Sequence, residues 1–499
     1  MANLNLEQQP KYDPFPATQD VIFTVSDNTV VTSETRVKFI ANVYISTDKA
    51  LLGTSPTLQA TLKTTPNNAG VGMFDLRPIL ESFVKSDSLA SGNTSTGAPI
   101  GALAPTYKGS SYAQGNQFPI HVIDKYALSE NTIKWLSVKF QIEYLNGGGN
   151  PNAVETDGDF IFTQDYLFYN GYLSHTDNLT GSTTNSDFGW NLEKAGYNLD
   201  GSDISFIQNS NTSNYLTPCP KELHARVTDY GTLPTFNVLT NATFFTGAPN
   251  DTTNRRYNFT QVTMYDENDS LLVTFNIDNN TAVGGFDQAT TNARAMIIFL
   301  GLYPANLNNW SSDFQANIGQ TSYYTVKGVG HPSGLITDEY RINIICDSSF
   351  GYEGIRLTWL NKFGTWDYYT FNQKSIRSLS TSKSQYTQLG GTWNEATYQP
   401  NGFKGGMKNF RVNATEKITL NTDYLTDLES EWIESLFNSP EVYILTGETT
   451  TDNAGIINKY VQPVTLTTTS FTRKTKANDK LIQYTFEVER NRPLRTQTT

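Results

Sequence analysis

The stretch from Val21 to Thr65 constrains the fold more than any other part of the chain. It holds three runs, VIFTVSD, TRVKFIANVYIS and TLQATLKTT, separated by the turn-forming residues Asp27, Asn28, Thr47 and Asp48 and followed by Pro66, Asn67 and Asn68. In VKFIANVYI, Val37, Phe39, Val43 and Ile45 share one face, with Ala41 between them, as expected where side chains alternate across a pleated strand. Short alternating strands at this spacing predict a β-sandwich.

Composition extends that expectation to the rest of the 499 residues. Charged residues are only 17% of the chain, while Asn, Thr, Ser, Gly and Tyr are abundant, a balance that favours strands and turns over long surface helices. The predicted class is mainly β, as multi-domain β-sandwiches with a few short helices. A formal charge of −12 argues against a nucleic-acid partner, because phosphate binding needs a basic face. The short basic cluster Arg473, Lys474, Lys476 and Lys480 reads as a strand end or subunit contact. No apolar run is long enough to span a bilayer, and the opening MANLNLEQQPKYDPFP has no signal-peptide pattern, so synthesis in a cytoplasm without membrane insertion is expected.

Three domains are predicted. Residues 1–189 form an N-terminal β-sandwich with a long Gly/Ser-rich loop at 86–117. Residues 190–375 form a central β-sandwich ending in an aromatic hairpin, and 376–499 a C-terminal β domain with one amphipathic helix at about 427–437. That helix is the clearest in the chain: Thr426 and Glu429 have capping-box spacing, Leu425, Leu428, Trp432 and Leu436 line one stripe, and Asn438, Ser439 and Pro440 end it. FDLRPILESFV predicts a shorter helix, with Asp75 as cap and Leu76, Ile79, Leu80 and Phe83 at helical spacing.

The aromatic hairpin is RLTWLNKFGTWDYYTF, Arg356 to Phe371, in which NKFG supplies a turn with Gly364 in the left-handed position. Trp366 and Tyr368 share one face, and Tyr369 and Phe371 the other. The principal reading is packing on both faces, with Asp367 solvated at a hairpin edge. Trp359, Trp366, Tyr368 and Tyr369 are thus candidate interface residues, and the alternative is a glycan-stacking platform.

Catalytic signatures are thin, and a non-enzymatic chain without cofactor or metal is expected. GVGHPSG, Gly328 to Gly334, lacks the spacing of a dinucleotide loop, and His121, His175, His224 and His331 are scattered. The carboxylates Asp266, Glu267 and Asp269 fall in a hairpin loop that reads as a solvated turn ahead of a Ca²⁺ site, and Asp157 and Asp159 read the same way. Cys219 and Cys346 read as unpaired buried thiols, ahead of a disulfide or a metal site shared with His224.

The hairpin, together with FDLRPIL, LGLYPANL, SPEVYIL and the ending KANDKLIQYTFEVERNRPLRTQ, resembles tail-associated structural proteins of tailed bacteriophages, particularly those infecting Bacteroidetes hosts. The resemblance spans much of the chain and rests on diffuse motifs. It implies a virion component of the tail, baseplate or connector region, made of β-sandwich domains and assembled as a homo-oligomeric ring that joins other tail proteins. A receptor- or carbohydrate-binding tail-tip protein, contacting a host-surface glycan, is the alternative.

Overall fold

The computed structural model describes residues 4–90, 119–145, 160–173, 214–236, 257–279, 292–330, 335–345, 351–392, 395–403, 405–446, 461–470, 472 and 482–491. Short strands are also placed at 106–107, 110–111, 154–156, 179–181, 188–190 and 494–495. The fold is mainly β, in several separate sheets with few short helices, as a multi-domain β-sandwich protein. It divides into two compact units. The first takes Met1–Ile345 and the hairpin tip Leu360–Asp367, and the second takes Cys346–Trp359, Tyr368–Asp452 and Ile456–Thr499.

The first unit opens with the sandwich that the alternating runs predict. One sheet is Asn5–Gln8, Ile22–Ser26 and Val71–Asp75. The facing sheet runs Phe15–Pro16, Tyr166–Tyr169, Ile133–Leu145, Thr35–Ser46 and Leu58–Thr64. Its centre is the long antiparallel pair in which Val138 lies opposite Val43. Val37, Phe39, Ala41, Val43 and Ile45 are all buried, so the alternation in the sequence does mark the inward face. Phe23 and Phe74 from the first sheet meet Phe140 of the second at ring-centroid distances of 5.8 and 5.6 Å. Burial of such rings is the main driving term for closing the two sheets on each other.

The connections differ from plain turns. Asp27 accepts hydrogen bonds from the Thr29 and Val30 N–H groups and starts the helix Asn28–Ser33. Asp48 does the same for Lys49–Thr54 through Ala50 N–H. An aspartate that starts a turn also satisfies the free donors of a helical first turn, so the residue type alone does not separate the two outcomes. The helix expected in FDLRPILESFV is the single turn Arg77–Leu80, with the Asp75 carboxylate accepting from Arg77 N–H at 3.0 Å.

Elsewhere in the first unit, a five-stranded sheet has the order Glu222–Arg226, Tyr340–Ile345, Tyr323–Gly330, Tyr257–Tyr265 and Leu271–Asp278. A three-stranded sheet joins Leu233–Phe236 and Ile297–Leu300 to Tyr126–Leu128. That last pairing links sequence on both sides of residue 190, and the division expected there falls inside the first unit.

An eight-stranded sheet organises the second unit, in the order Trp366–Phe371, Ile355–Leu360, Val442–Leu445, Val461–Leu466, Thr485–Arg490, Gly406–Asn421 and Ile376–Gln388, with Leu494–Arg495 also on Gly406–Asn421. The helix Asp427–Phe437 lies against it, closed by the capping box of Thr426 and Glu429. Trp432, Ile433 and Leu436 are buried, and Phe437 packs on Phe486 at 5.3 Å. One member of the expected stripe is corrected: Leu428 is 70% exposed, because the buried stripe is centred between Trp432 and Ile433 and leaves Leu428 beyond its edge.

Candidate functional site

The aromatic hairpin forms as the strands Ile355–Leu360 and Trp366–Phe371. Its turn closes with the Asn361 N–H donating to the Thr365 carbonyl at 2.7 Å and the Gly364 N–H to the Asn361 carbonyl at 3.0 Å. Gly364 has φ +73°, and a Cβ there would meet the Asn170 carbonyl oxygen at 1.9 Å, so both backbone angle and space require glycine.

Within the first unit the tip is a set of polar anchors. Trp366 Nε1 donates to the Asp87 carbonyl at 2.7 Å, and its ring meets His121 edge-on at 5.0 Å. Asn361 Nδ2 and Thr365 Oγ1 both donate to the Leu216 carbonyl. Asp367 corrects the expectation of a solvated edge: it is 2% exposed, and its carboxylate accepts from Thr217 Oγ1 and from Asn361 Nδ2. A carboxylate tolerates burial when donors surround it, and here one donor lies 150 residues away in sequence.

Asp87 repeats this device. Its side chain accepts from Ser129 Oγ, the Glu130, Asn131 and Thr132 N–H groups, Asn131 Nδ2 and Thr132 Oγ1. Burial pushes the carboxyl above the usual aspartate range, while these donors pull it back. Asp87 opens the tract read as a Gly/Ser-rich loop, and no sequence signal marked it; of 91–117, only the short strands at 106–107 and 110–111 are placed.

In the second unit the stems are packed by rings. Trp359 sits 5.4 Å from Trp432 and donates through Nε1 to Ser435 Oγ at 2.9 Å. The Arg356 guanidinium lies 5.3 Å from the Tyr368 ring centre and donates to Thr370 Oγ1. Phe371 packs on Phe486 at 5.1 Å. Trp359 and Trp366 are fully buried and Tyr368 is 3% exposed, so none presents a face on which a pyranose could stack. Tyr369 is half-buried, with its ring against Trp432 and its hydroxyl accepting from the Asp423 N–H.

The remaining candidate groups stay apart. Asp266, Glu267 and Asp269 do lie in a hairpin loop, between Tyr257–Tyr265 and Leu271–Asp278. Hydrogen bonds from Ser270 and Asn268 hold the Asp266 carboxyl below the usual range, as in an ordinary Asx-type turn. Asp269 accepts from Tyr323 OH. Cys219 is buried, and burial pushes its thiol up, with the nearby Asp367 charge adding to the effect. His121 is buried and His224 exposed, whereas His175, His331, Cys346, Asp157, Asp159 and the cluster at 473–480 lie outside the described residues. Among the described residues, no group of three or more His, Cys, Asp or Glu could hold a metal ion, and no helix is long and apolar enough to cross a membrane. An open groove of about 650 Å³ runs past the end of the helix, lined by Glu434, Phe437, Glu441 and Tyr443 among others. Within that lining the Tyr443 hydroxyl donates to the Glu441 carboxylate at 3.0 Å.

The feature that sequence reasoning missed is the hairpin that follows. The strands Ile376–Gln388 and Gly406–Asn421 form a long antiparallel pair. Thr485–Arg490 joins it only at Lys417–Asn421, and Leu494–Arg495 only at Asn413 and Ala414. Among the described residues, the outer part from 382 to 412 is therefore a two-stranded arm. Every residue from Ile376 to Thr387 is exposed. Leu389, Phe403, Met407 and Phe410 are exposed by 65, 80, 70 and 59%. The signal was there in negative form: SIRSLSTSKSQYTQ has no apolar residue recurring on one face.

No family model and no curated protein matches the chain. Among solved structures, the native conformation of E. coli alpha-2-macroglobulin is similar at 9% identity and a TM-score of 0.17, over 84% of this chain and 22% of that one. Salmonella alpha-2-macroglobulin reacted with methylamine is similar at 8% identity and a TM-score of 0.18, over 100% of this chain and 30% of that one. The chain spans less than a third of the length of these proteins, and a likeness at such TM-scores carries no weight for fold or function.

Proposed function

We propose that this chain is a non-enzymatic structural component of a bacteriophage virion. It forms an oligomeric ring in the tail, baseplate or connector region, joins neighbouring tail proteins, and is synthesised in the host cytoplasm. The observation that carries this reading is the arm. An isolated two-stranded hairpin is at best marginally stable in water, and this one carries large apolar side chains into solvent over its length. Such an element is explained by a neighbour that covers it, and a building block of a repeating assembly supplies neighbours by symmetry. The burial of Trp359, Trp366 and Tyr368 supports architecture over glycan contact for the aromatic hairpin.

Cryo-electron microscopy of purified particles of the phage that encodes the chain is the test. The expected result is density for many copies in a closed ring at the tail. Particles that lack the chain, by density and by mass spectrometry, would overturn the proposal.

A further inference from the structure

The arm differs from the rest of the chain in charge as well as exposure. Residues 382–413 hold four basic side chains, Lys383, Lys404, Lys408 and Arg411, against one acidic, Glu395, a net of +3. The whole chain has 36 basic and 48 acidic residues, so the remainder has 32 and 47, a net of −15. Both faces of the arm mix cation and apolar side chain: Tyr386 lies opposite Lys408 on one, and Lys383 shares the other with Thr387, which lies opposite Met407. The register breaks between Ser384 and Gln385, which leaves Phe410 unpaired at a bulge.

A basic strand pair with an open edge is complemented by an acidic open edge of similar length. Ile376–Gln388 is the last strand of its sheet and, among the described residues, pairs on one side only. Two strands of the first unit end their sheets in the same way and expose a leucine, Leu58–Thr64 and Leu271–Asp278. The first offers the arm no carboxylate of its own, since residues 50–74 hold no Asp or Glu and its one charge, Lys63, is already paired with Glu143. The second has Asp266, Glu267 and Asp269 at one end and Asp278 at the other, and exposes Leu271 by 62%. Its eight residues span roughly 26 Å, close to the roughly 23 Å of arm residues 382–388.

We infer that the arm of one copy adds edge to edge, through residues 382–388, to the strand Leu271–Asp278 of a second copy, with Lys383 on the pairing strand and Lys408 and Arg411 on the strand behind it drawing the arm towards the carboxylates that flank the acceptor. Main-chain hydrogen bonds supply the pairing, as in strand addition generally, and the charges select this edge and set its direction. Donor and acceptor surfaces differ, so the contact is head-to-tail and propagates around a ring if the rotation closes. The inference deepens the structural reading above and rests on it.

The test is a charge swap in the full chain, read by sedimentation velocity and checked for folding by circular dichroism. Lys408→Glu with Arg411→Glu should weaken self-association by roughly tenfold or more, and Glu267→Lys with Asp278→Lys should do the same. Mixing the two reversed chains should restore association to near the wild-type level, which misfolding could not do. Wild-type association should also weaken as salt rises. Wild-type oligomers that survive both reversals would overturn this contact and leave the structural reading standing. A wild-type chain that stays monomeric at the highest attainable concentration would overturn both the contact and the self-assembling ring. A monomer captured through its arm by another purified tail protein would overturn the self-contact and assign the arm to that partner.

Discussion

Two hairpins follow one another in this chain and meet opposite surroundings. In Ile355–Phe371 the strands are buried on both faces, including a charged Arg356 and Asp367. In Ile376–Asn421 the first strand is exposed almost throughout and the second is buried only near its inner end, at Ala414, Ile418 and Leu420. The backbone pairing is the same in kind. What separates them is the side chains: rings with donors in the first, Ser, Thr, Gln and Lys in the second, whose polar groups keep their hydrogen bonds with water. Strand propensity therefore accounts for both hairpins, while core membership follows from the partners that each side chain finds.

The contrast is most exposed to failure at Trp366. Trp366→Ala removes a fully buried ring and its hydrogen bond to the Asp87 carbonyl, and should cost about 3–5 kcal/mol in denaturant unfolding of the first unit. A loss below about 1 kcal/mol would mean that the tip is not core. Gly364→Ala should come next, at about 1–3 kcal/mol, since it combines φ +73° with a clash on the Asn170 carbonyl.

A pH series sharpens the contrast between buried and exposed groups. Burial raises the Asp13 carboxyl from 3.8 to about 8, against the pull of the Leu167 N–H that donates to it and of the Lys49 charge. The folded chain then holds a proton there that the unfolded chain has released, so this group's contribution is intact below about pH 4 and is lost as pH rises towards 8. Asp13→Asn should flatten that slope and raise the melting temperature by a few degrees at pH 8, with little change at pH 4. Equal shifts at both values would rule out titration as the cause. The smallest effect belongs to the arm: Phe403→Ser with Met407→Ser should change the stability of the isolated chain by no more than about 0.5 kcal/mol, by thermal unfolding. A large loss there would place the arm in a core and end the contrast.

Much of the local structure was legible in sequence because its causes are local. Alternation located Ile22–Ser26 and Thr35–Ser46, the Thr426 and Glu429 pair located the helix Asp427–Phe437, and Asn361 to Gly364 located the turn. Less legible was anything decided by distant residues. Asp367 is buried because Thr217 supplies a donor, and Tyr126–Leu128 pairs with Ile297–Leu300 across the expected boundary. Leu428 is left out of the helix stripe by a small rotation of the buried face, which spacing alone does not determine. Of the candidate residues, Trp359, Trp366 and Tyr368 were assigned to packing by their type and period, whereas the arm carried no positive pattern to read.

The membership of Leu360–Asp367 in the first unit also has a consequence for the order of synthesis. Phe15–Pro16 can pair once Tyr166–Tyr169 has been made, but Asp87 and Leu216 must wait for Trp366, Asn361 and Thr365. At bacterial-like elongation rates the interval between residues 169 and 367 is roughly 10–40 s. For that time the nascent first unit carries the Asp87 carbonyl, joined by that of Leu216 once it is made, without these donors, and translation that ends before residue 367 leaves a chain whose N-terminal sandwich strands are complete but whose first unit is not.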